Sequence, residues 1–316
     1  MHNDAIAVGR LNILIALCIF AEAILLAVWA TAAGFRLDLS TVAGAAIGLV
    51  GMSALACFYT YARPDERIAI ACRGMAQLIA MTAVGAPLSY TAASLQRPFV
   101  DAAFLAADHH LGFDWMTYFR FATSHPWLLA VMRTTYDATM ITIAFAVLVL
   151  AITRRPGRLA TFVLAFTIAT FVTIMISGYF PGLNAYAYLD LTPADHPGAT
   201  VAVSKVSAVI VAALHDGTLR TLVLAGAEGI ITFPSLHTAI GVLVIWALWP
   251  VRYVGWFMLV FNAIMIASTP VQGAHYLVDT LAGLLVAVAA IALSRALGRV
   301  PAWARPASEP RVAAAT

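Results

Sequence analysis

Two histidines in this chain of 316 residues lie in polar segments that interrupt long apolar runs. His237 lies just ahead of one apolar segment, and His275 precedes Asp279 by four residues. Residues 238–274 between the two histidines are long enough for two membrane crossings of roughly 20 residues each. A chain that crosses twice returns to the same face, so the spacing predicts that both imidazoles lie at one surface.

The types and spacing of these residues favour acid–base and nucleophilic chemistry. A carboxylate four residues after a histidine lies on the same helical face and can accept the imidazole N–H, which makes the other ring nitrogen more nucleophilic. Near His237, Thr232 or Ser235 can cap a helix that starts close to Pro234, and the free amides of such a helix start attract phosphate.

Together these features indicate phosphoryl transfer, in which one histidine attacks phosphorus and the other gives a proton to the leaving oxygen. For either histidine alone, a hydrogen bond to a neighbouring helix is the favoured explanation. Two at the same depth, one of them with a partner carboxylate, favour a functional pair.

The elements that position these residues are membrane helices, because 62% of the residues are hydrophobic and only 10% are charged. Apolar windows of about 20 residues recur along the chain, and only helices satisfy their backbone in lipid. The predicted fold is all-α, a polytopic bundle of about eight transmembrane helices. The crossings are expected at 11–33, 41–61, 74–94, 127–152, 159–180, 234–250, 253–271 and 276–294.

Arginine sets the predicted orientation, since basic residues in short loops stay cytoplasmic. Twelve arginines are predicted to lie on one side of the bundle, namely Arg10, Arg63, Arg67, Arg73, Arg154, Arg155, Arg158, Arg252, Arg295, Arg299, Arg305 and Arg311. We therefore expect both termini in the cytoplasm and the histidines on the outer face. The first crossing is too long for a typical signal peptide and is expected to be retained.

The predicted organisation has three parts: two N-terminal helices in 1–73, a six-helix catalytic core in 74–300, and a disordered cytoplasmic tail in 301–316. No metal-ligand spacing occurs, so we expect no metal and no cofactor. The net charge of +3 comes mainly from the arginines on the predicted cytoplasmic side and does not indicate nucleic-acid binding. Segment 101–114 is predicted to be an amphipathic helix at the outer interface, with Trp115, Tyr118 and Trp127 as interfacial aromatics.

Two motifs carry a family resemblance. The sequences FPSLHTA (233–239) and GAHYLVDTLAG (273–283) resemble the type-2 phosphatidic acid phosphatase superfamily, and the forms PSLH and HYLVD resemble its inositol phosphorylceramide synthase-like branch. The stretches LGFDW (111–115) and HDGTLRTL (215–222) are similar to bacterial members of that branch. The resemblance extends over roughly residues 94–290.

The resemblance implies roles for individual residues. His275 would be the nucleophile that forms a phosphohistidine, Asp279 the carboxylate that orients it, and His237 the general acid toward the leaving alcohol. Ser235 would contact the phosphate. Members of the superfamily need no metal, which agrees with the expectation above.

The chain departs from the superfamily in its cationic residues. Tyr90 stands where the first motif has a lysine, although Arg97-Pro98 matches the Arg-Pro of that motif. Ser268-Thr269 stands where the third motif commonly has Ser-Arg, a departure shared by the synthase-like branch.

Three residues are candidates to contact the substrate instead of the missing cations. Arg97 lies at the outer end of the third crossing, and an interfacial arginine that extends to lipid headgroups is an equal alternative. Arg133 is spaced i, i+4 from Asp137, which predicts a buried ion pair. Arg133 is also a second candidate to bind the substrate phosphate. Gln272 could bind a substrate oxygen or, as a loop residue, be solvated.

The predicted function is phosphoryl transfer from a lipid phosphate or phospholipid at the outer face of a bacterial cytoplasmic membrane. The acceptor is water in a phosphatase and a hydroxyl in a phosphotransferase, and an inositolphosphotransferase-type headgroup synthase is the alternative within the enzyme class. The alternative from another class is a transporter or lipid-binding protein whose histidines relay protons. The segment 181–231 is expected to cap the site.

Overall fold

The computed structural model describes residues 2–192, 205–224 and 229–299. The predicted tail 301–316 and parts of the predicted cap lie outside these ranges. Thirteen α-helices occur in the described part of the chain. They are α1 (His2–Ala32), α2 (Ala43–Cys57), α3 (Glu66–Ala93), α4 (Asp101–His110), α5 (Trp115–Thr123), α6 (Pro126–Asp137), α7 (Thr139–Ile152), α8 (Pro156–Tyr179), α9 (Ala185–Tyr188), α10 (Lys205–Asp216), α11 (Leu236–Leu248), α12 (Arg252–Gln272) and α13 (Leu277–Leu297).

Six of the described helices are long and apolar enough to cross a membrane, which confirms an all-α polytopic bundle. They are α1, α2 with its π-helical end, α3, α8, α12 and α13. Large apolar side chains such as Phe20, Ile47 and Phe257 are exposed on these helices, as lipid-facing residues are. The protein is therefore a multi-pass membrane protein.

The two remaining predicted crossings differ from simple spans. Predicted span 127–152 is a helix pair, α6 and α7, bent by 54°. Near the bend the Thr139 hydroxyl donates to the Tyr136 carbonyl at 2.6 Å, and threonine hydroxyls that bond to the preceding turn bend helices. Predicted span 234–250 is the 13-residue helix α11, about 20 Å long, which is shorter than a full crossing.

The core of the bundle surrounds α8. Its residues Phe162, Val163, Leu164 and Ala165 are fully buried on all sides. Helices α1, α3, α7, α11 and α13 pack against it, and α1 contributes the buried residues Leu11 and Ile15 to the same core. The N-terminal helix therefore packs as part of the bundle.

The α1–α2 connection is joined to the segment that follows α10. Two short parallel strands pair there, β1 (Arg36–Leu37) with β2 (Thr221–Leu222). The described part of the segment predicted as a cap is thus tied to the N-terminal helices through backbone hydrogen bonds.

Candidate active site

The chain around the start of α13 forms one half of the site. His275 immediately precedes the helix, and its Nδ1 lies 3.2 Å from Oδ2 of Asp279 in the first turn. The same carboxylate oxygen accepts a hydrogen bond from the Tyr276 amide at 2.9 Å. Both side chains are almost fully buried. The predicted contact between histidine and carboxylate is present, with the carboxylate bound to both the imidazole and the backbone.

Asp108 of α4 caps this helix from a distant part of the chain. Its two carboxylate oxygens accept hydrogen bonds from the amides of Leu277 at 2.8 Å and Val278 at 2.9 Å. Asp108 is fully buried, and burial raises its pKa, while these two amides act in the opposite direction. The first amides of α13 are therefore satisfied by a protein carboxylate.

A second buried carboxylate, Asp101, braces the same region. It accepts hydrogen bonds from the Leu183 amide and from the Tyr276 hydroxyl, each at 3.0 Å. Burial raises the pKa of Asp101, and these hydrogen bonds oppose that change. Sequence reasoning placed Asp101 and Asp108 on an interfacial helix and missed both roles. The available signal was two acidic residues seven apart, on one face of α4.

Trp115 is buried beneath the site, so its assignment as an interfacial aromatic was wrong. Its side chain is 1% exposed, and Nε1 donates to the His275 carbonyl at 3.0 Å. Tyr118 donates to the Ala267 carbonyl, whereas Trp127 is 68% exposed, as an interfacial residue would be. Helices α4 and α5 therefore support the site.

The start of α11 forms the other half of the site. Ser235 is its N-cap, and the hydroxyl accepts a hydrogen bond from the Thr238 amide at 3.4 Å. The other predicted cap, Thr232, donates instead to the Gly182 carbonyl. The Ser235 amide donates to the Asp279 carbonyl at 2.9 Å, which ties the two halves together.

Gly283 permits the close approach of α11 and α13. A Cβ atom at this position would lie 2.3 Å from the Ser235 carbonyl oxygen and 3.1 Å from Cβ of Thr238. No side chain fits there without a shift of backbone. The glycine thus sets the distance between the helix that carries His237 and the helix that follows His275.

His237 is held by Tyr136 at the end of α6. The two rings stack with centroids 4.3 Å apart, and the tyrosine hydroxyl lies 3.2 Å from Nδ1 of the histidine. This contact leaves Nε2 of His237 as the ring nitrogen that can meet a ligand. No sequence pattern singles out Tyr136, because its position depends on the bend between α6 and α7.

Both histidines line one cavity of about 410 Å³. Leu236 and His237, the first residues of α11, border it, and the amides of a first helical turn have no carbonyl partner within the helix. Its remaining walls combine apolar side chains with hydroxyl and amide groups, including Ser89, Thr170 and Asn184. Within the described part of the chain, no arginine or lysine lines this cavity.

None of the four predicted substrate contacts, Ser235, Arg97, Arg133 and Gln272, is among the residues that line this cavity. Arg97 is exposed and stacks over the Tyr179 ring at 5.4 Å. Arg133 forms the predicted ion pair with Asp137 at 3.6 Å, but both side chains are half-exposed, so the expectation of a buried pair was wrong. An outward-facing position on α6 accounts for their exposure.

Gln272 is the last residue of α12 and is fully buried, so its assignment as a solvated loop residue was also wrong. Neither side-chain polar atom has a hydrogen-bond partner within the described residues.

The electrostatics suit a neutral imidazole at His275. Burial lowers the pKa of His275 to about 4, and a hydrogen bond to the Thr232 backbone acts in the opposite direction. The ring is then unprotonated near neutral pH and retains a lone pair. The arrangement supplies a nucleophilic nitrogen oriented by a carboxylate, a second imidazole and a set of free amides.

The part of the sequence that contains these residues matches a known protein family. The model of the PAP2 superfamily matches residues 102–293, a range that contains both histidines and Asp279. No curated protein and no solved structure matches the chain significantly. Since the matched range covers more than half of the sequence, the chain belongs to the PAP2 superfamily.

Proposed function

We propose that this membrane protein transfers a phosphoryl group from a lipid phosphate or phospholipid through a phosphohistidine at His275. The observation that carries the proposal is the meeting of two imidazoles at one cavity, with a buried carboxylate 3.2 Å from Nδ1 of His275. Membership of the PAP2 superfamily supports phosphatase-type chemistry on lipid phosphates.

In the first step, the phosphate binds at the free amides that begin α11, beside the Ser235 cap. Nε2 of His275 attacks phosphorus, and the bond from phosphorus to the leaving oxygen breaks. His237, as the imidazolium, gives its proton to that oxygen, and the alcohol departs. Asp279 stabilises the charge that develops on the His275 ring.

In the second step, an acceptor hydroxyl or water attacks the phosphorus of the phosphohistidine. His237, now neutral, takes the proton of the acceptor, and the bond between phosphorus and His275 breaks. Both histidines return to their starting states. Water as acceptor gives a phosphatase, and a lipid or alcohol hydroxyl gives a phosphotransferase. No step requires a metal ion.

The charge of the cavity favours a phosphodiester donor, which supports headgroup transfer of the inositolphosphotransferase type as the second candidate. A phosphate monoester carries roughly −1.5 to −2 charges at pH 7, whereas a phosphodiester carries a single negative charge. Within the described residues, the first residues of α11 and residues with hydroxyl groups border the cavity, and no arginine or lysine does. Such neutral donors balance one charge more readily than two.

The asymmetry of arginine along the sequence supports a site on the outer face of a bacterial cytoplasmic membrane, with both termini inside. A transporter with proton-relaying histidines remains the rival from another class. It predicts that flux across vesicles depends on the histidines, whereas phosphate chemistry does not.

The decisive experiment uses purified protein in detergent with EDTA present. A panel of lipid monophosphates, lipid diphosphates and phospholipids is incubated with the wild type, with His275→Ala and with the control His110→Ala, whose side chain is exposed on α4. Free phosphate is measured, and mass spectrometry detects headgroups transferred between lipids.

Transfer or hydrolysis by the wild type and the control, with none by His275→Ala, supports the proposal. Phosphate release identifies a phosphatase, and a transferred headgroup without release identifies a synthase. Full activity in His275→Ala would refute the role of this histidine. Loss of vesicle flux in that variant, with phosphate chemistry unchanged, would favour the transporter.

A further inference from the structure

A second cavity lies beside the active-site cavity, between the N-terminal helices and the catalytic helices. It has a volume of about 460 Å³ and is bordered by α2, α3, α7 and α8. Its walls are mainly apolar, with Leu78, Ile79, Ile143 and Phe166 among them. We call this space the lateral groove.

The lateral groove adjoins the active-site cavity. Four residues border both spaces, namely Thr82, Ala86, Met140 and Phe166. Two of them, Thr82 and Met140, are also exposed on the surface of the bundle, and Met140 is 58% exposed. Residues at the junction of α3 and α7 thus separate the two cavities, and two of them also lie at the surface of the bundle.

The dimensions of the lateral groove fit one hydrocarbon chain in one leaflet. Along α3 it extends from Met75 to Ala86, a rise of about 16 Å at 1.5 Å per residue. Half of a bilayer hydrocarbon core is about 15 Å thick. An apolar groove of this length that adjoins the cavity of the two histidines matches a lipid whose headgroup meets them.

We propose that the lateral groove binds an acyl or other hydrocarbon chain of the substrate lipid and that α2 determines which chains fit. The proposal rests on the proposed function and adds a binding site to it. The hydrocarbon chain moves from the bilayer to the groove, and both surroundings are apolar. Its burial therefore contributes little hydrophobic free energy, and the groove acts by orienting the lipid. Its effect is to align the phosphate with His275.

Helix α2 lies before the range matched by the family, so it can make the lateral groove specific to this protein. Thr41, Gly44 and Ala45 border the groove from this side. A Cβ atom at Gly44 would have no neighbouring atom within 4 Å, which leaves open space on the groove side. The Thr41 hydroxyl accepts a hydrogen bond from the Leu224 amide at 3.0 Å, which fixes this end of α2.

The test compares Gly44→Phe with Gly51→Phe. Gly51 lies on the same helix and does not border the lateral groove, and a Cβ atom at its position would likewise have no neighbouring atom within 4 Å. The kcat/KM of each variant is measured on a long-chain lipid substrate and on its short-chain analogue. A photoactivatable group at the end of the long chain is then crosslinked to the wild type, and the labelled peptides are identified.

We expect Gly44→Phe to lower the ratio of long-chain to short-chain kcat/KM by roughly tenfold, since misplacement by about 1 Å can cost as much as a hundredfold in rate. Gly51→Phe should leave the ratio unchanged. The crosslinks should map to α2, α3 or α7 near Thr82 and Met140.

An unchanged ratio in Gly44→Phe, together with crosslinks outside these helices, would overturn the lateral groove while the proposed function stands. Failure of the wild type to act on any lipid would instead overturn the proposed function. In that case the crosslinks alone would test the lateral groove as a lipid site. A label at the groove would support the site, and a label elsewhere would refute it.

Discussion

Replacement of Asp108 by alanine should destabilise the start of α13 and slow catalysis without any change to a proposed reacting group. The carboxylate accepts hydrogen bonds from the amides of Leu277 and Val278, and its side chain is fully buried. Alanine would leave both amide donors buried and unpaired, in the turn that connects His275 to Asp279.

The expected cost follows from those two bonds. A hydrogen bond to a charged group contributes about 1.5 kcal/mol or more, so the loss of two gives about 3 kcal/mol of unfolding free energy. Asp108→Asn keeps one acceptor oxygen and should lose about half as much. A displacement of His275 by about 1 Å would lower kcat by up to roughly a hundredfold. Asp108 is thus expected to position His275.

Thermal unfolding in detergent measures the stability change, and steady-state kinetics on the substrate found by the lipid panel measures the second effect. The nearby His110→Ala is the matched control, because that side chain is exposed. We expect kcat to fall in Asp108→Ala with little change in KM, and Asp108→Asn to recover part of it. Loss of stability with kcat unchanged, or equal rates in the alanine and asparagine variants, would refute the positioning role.

Three further predictions concern the histidines and the contact between their helices. The acid limb of kcat/KM should lie near pH 4, since burial lowers the pKa of His275 to about 4 and its free-base form is lost only below that value; a limb near the ordinary histidine pKa would contradict this. Tyr136→Phe should lower kcat about fivefold to tenfold with KM retained, because the hydroxyl no longer holds Nδ1 of His237; unchanged kinetics would exclude that role. Gly283→Ala should destabilise the protein by about 3 kcal/mol in thermal unfolding, because its Cβ would overlap the Ser235 carbonyl; a wild-type midpoint would show that the helices can separate freely.

The sequence predicted the local contacts of the proposed reacting residues better than the contacts of the residues that support them. The contact of His275 with Asp279 depends on four residues of local chain, and the capping of α11 by Ser235 depends on one turn. Such short-range geometry follows from helix periodicity. Asp108 meets Leu277 across most of the catalytic region, and nothing in the local pattern of either segment indicates this pairing.

The errors have a common physical origin. Trp115 was expected at the interface because it follows a predicted amphipathic helix, and Gln272 in water because it was expected in a loop, yet tertiary packing buries both. Arg133 was assigned to the interior because a straight span 127–152 would bury it. The 54° bend between α6 and α7 changes what that segment faces, and threonine side chains that compete for backbone carbonyls are a weak signal for its position.

The first turns of α11 and α13 are capped by different chemical groups, and this difference supports the roles proposed for the two histidines. Each helix start carries roughly half a positive charge. At α13 the carboxylate of Asp108 occupies the first amides, so the positive end is neutralised next to His275 and does not draw electron density from the nucleophile. At α11 the cap is the uncharged hydroxyl of Ser235, so its positive end stays available beside His237. In the proposed reaction, the substrate anion binds at α11 and presents its phosphorus to His275, which lies at the start of the neutralised helix.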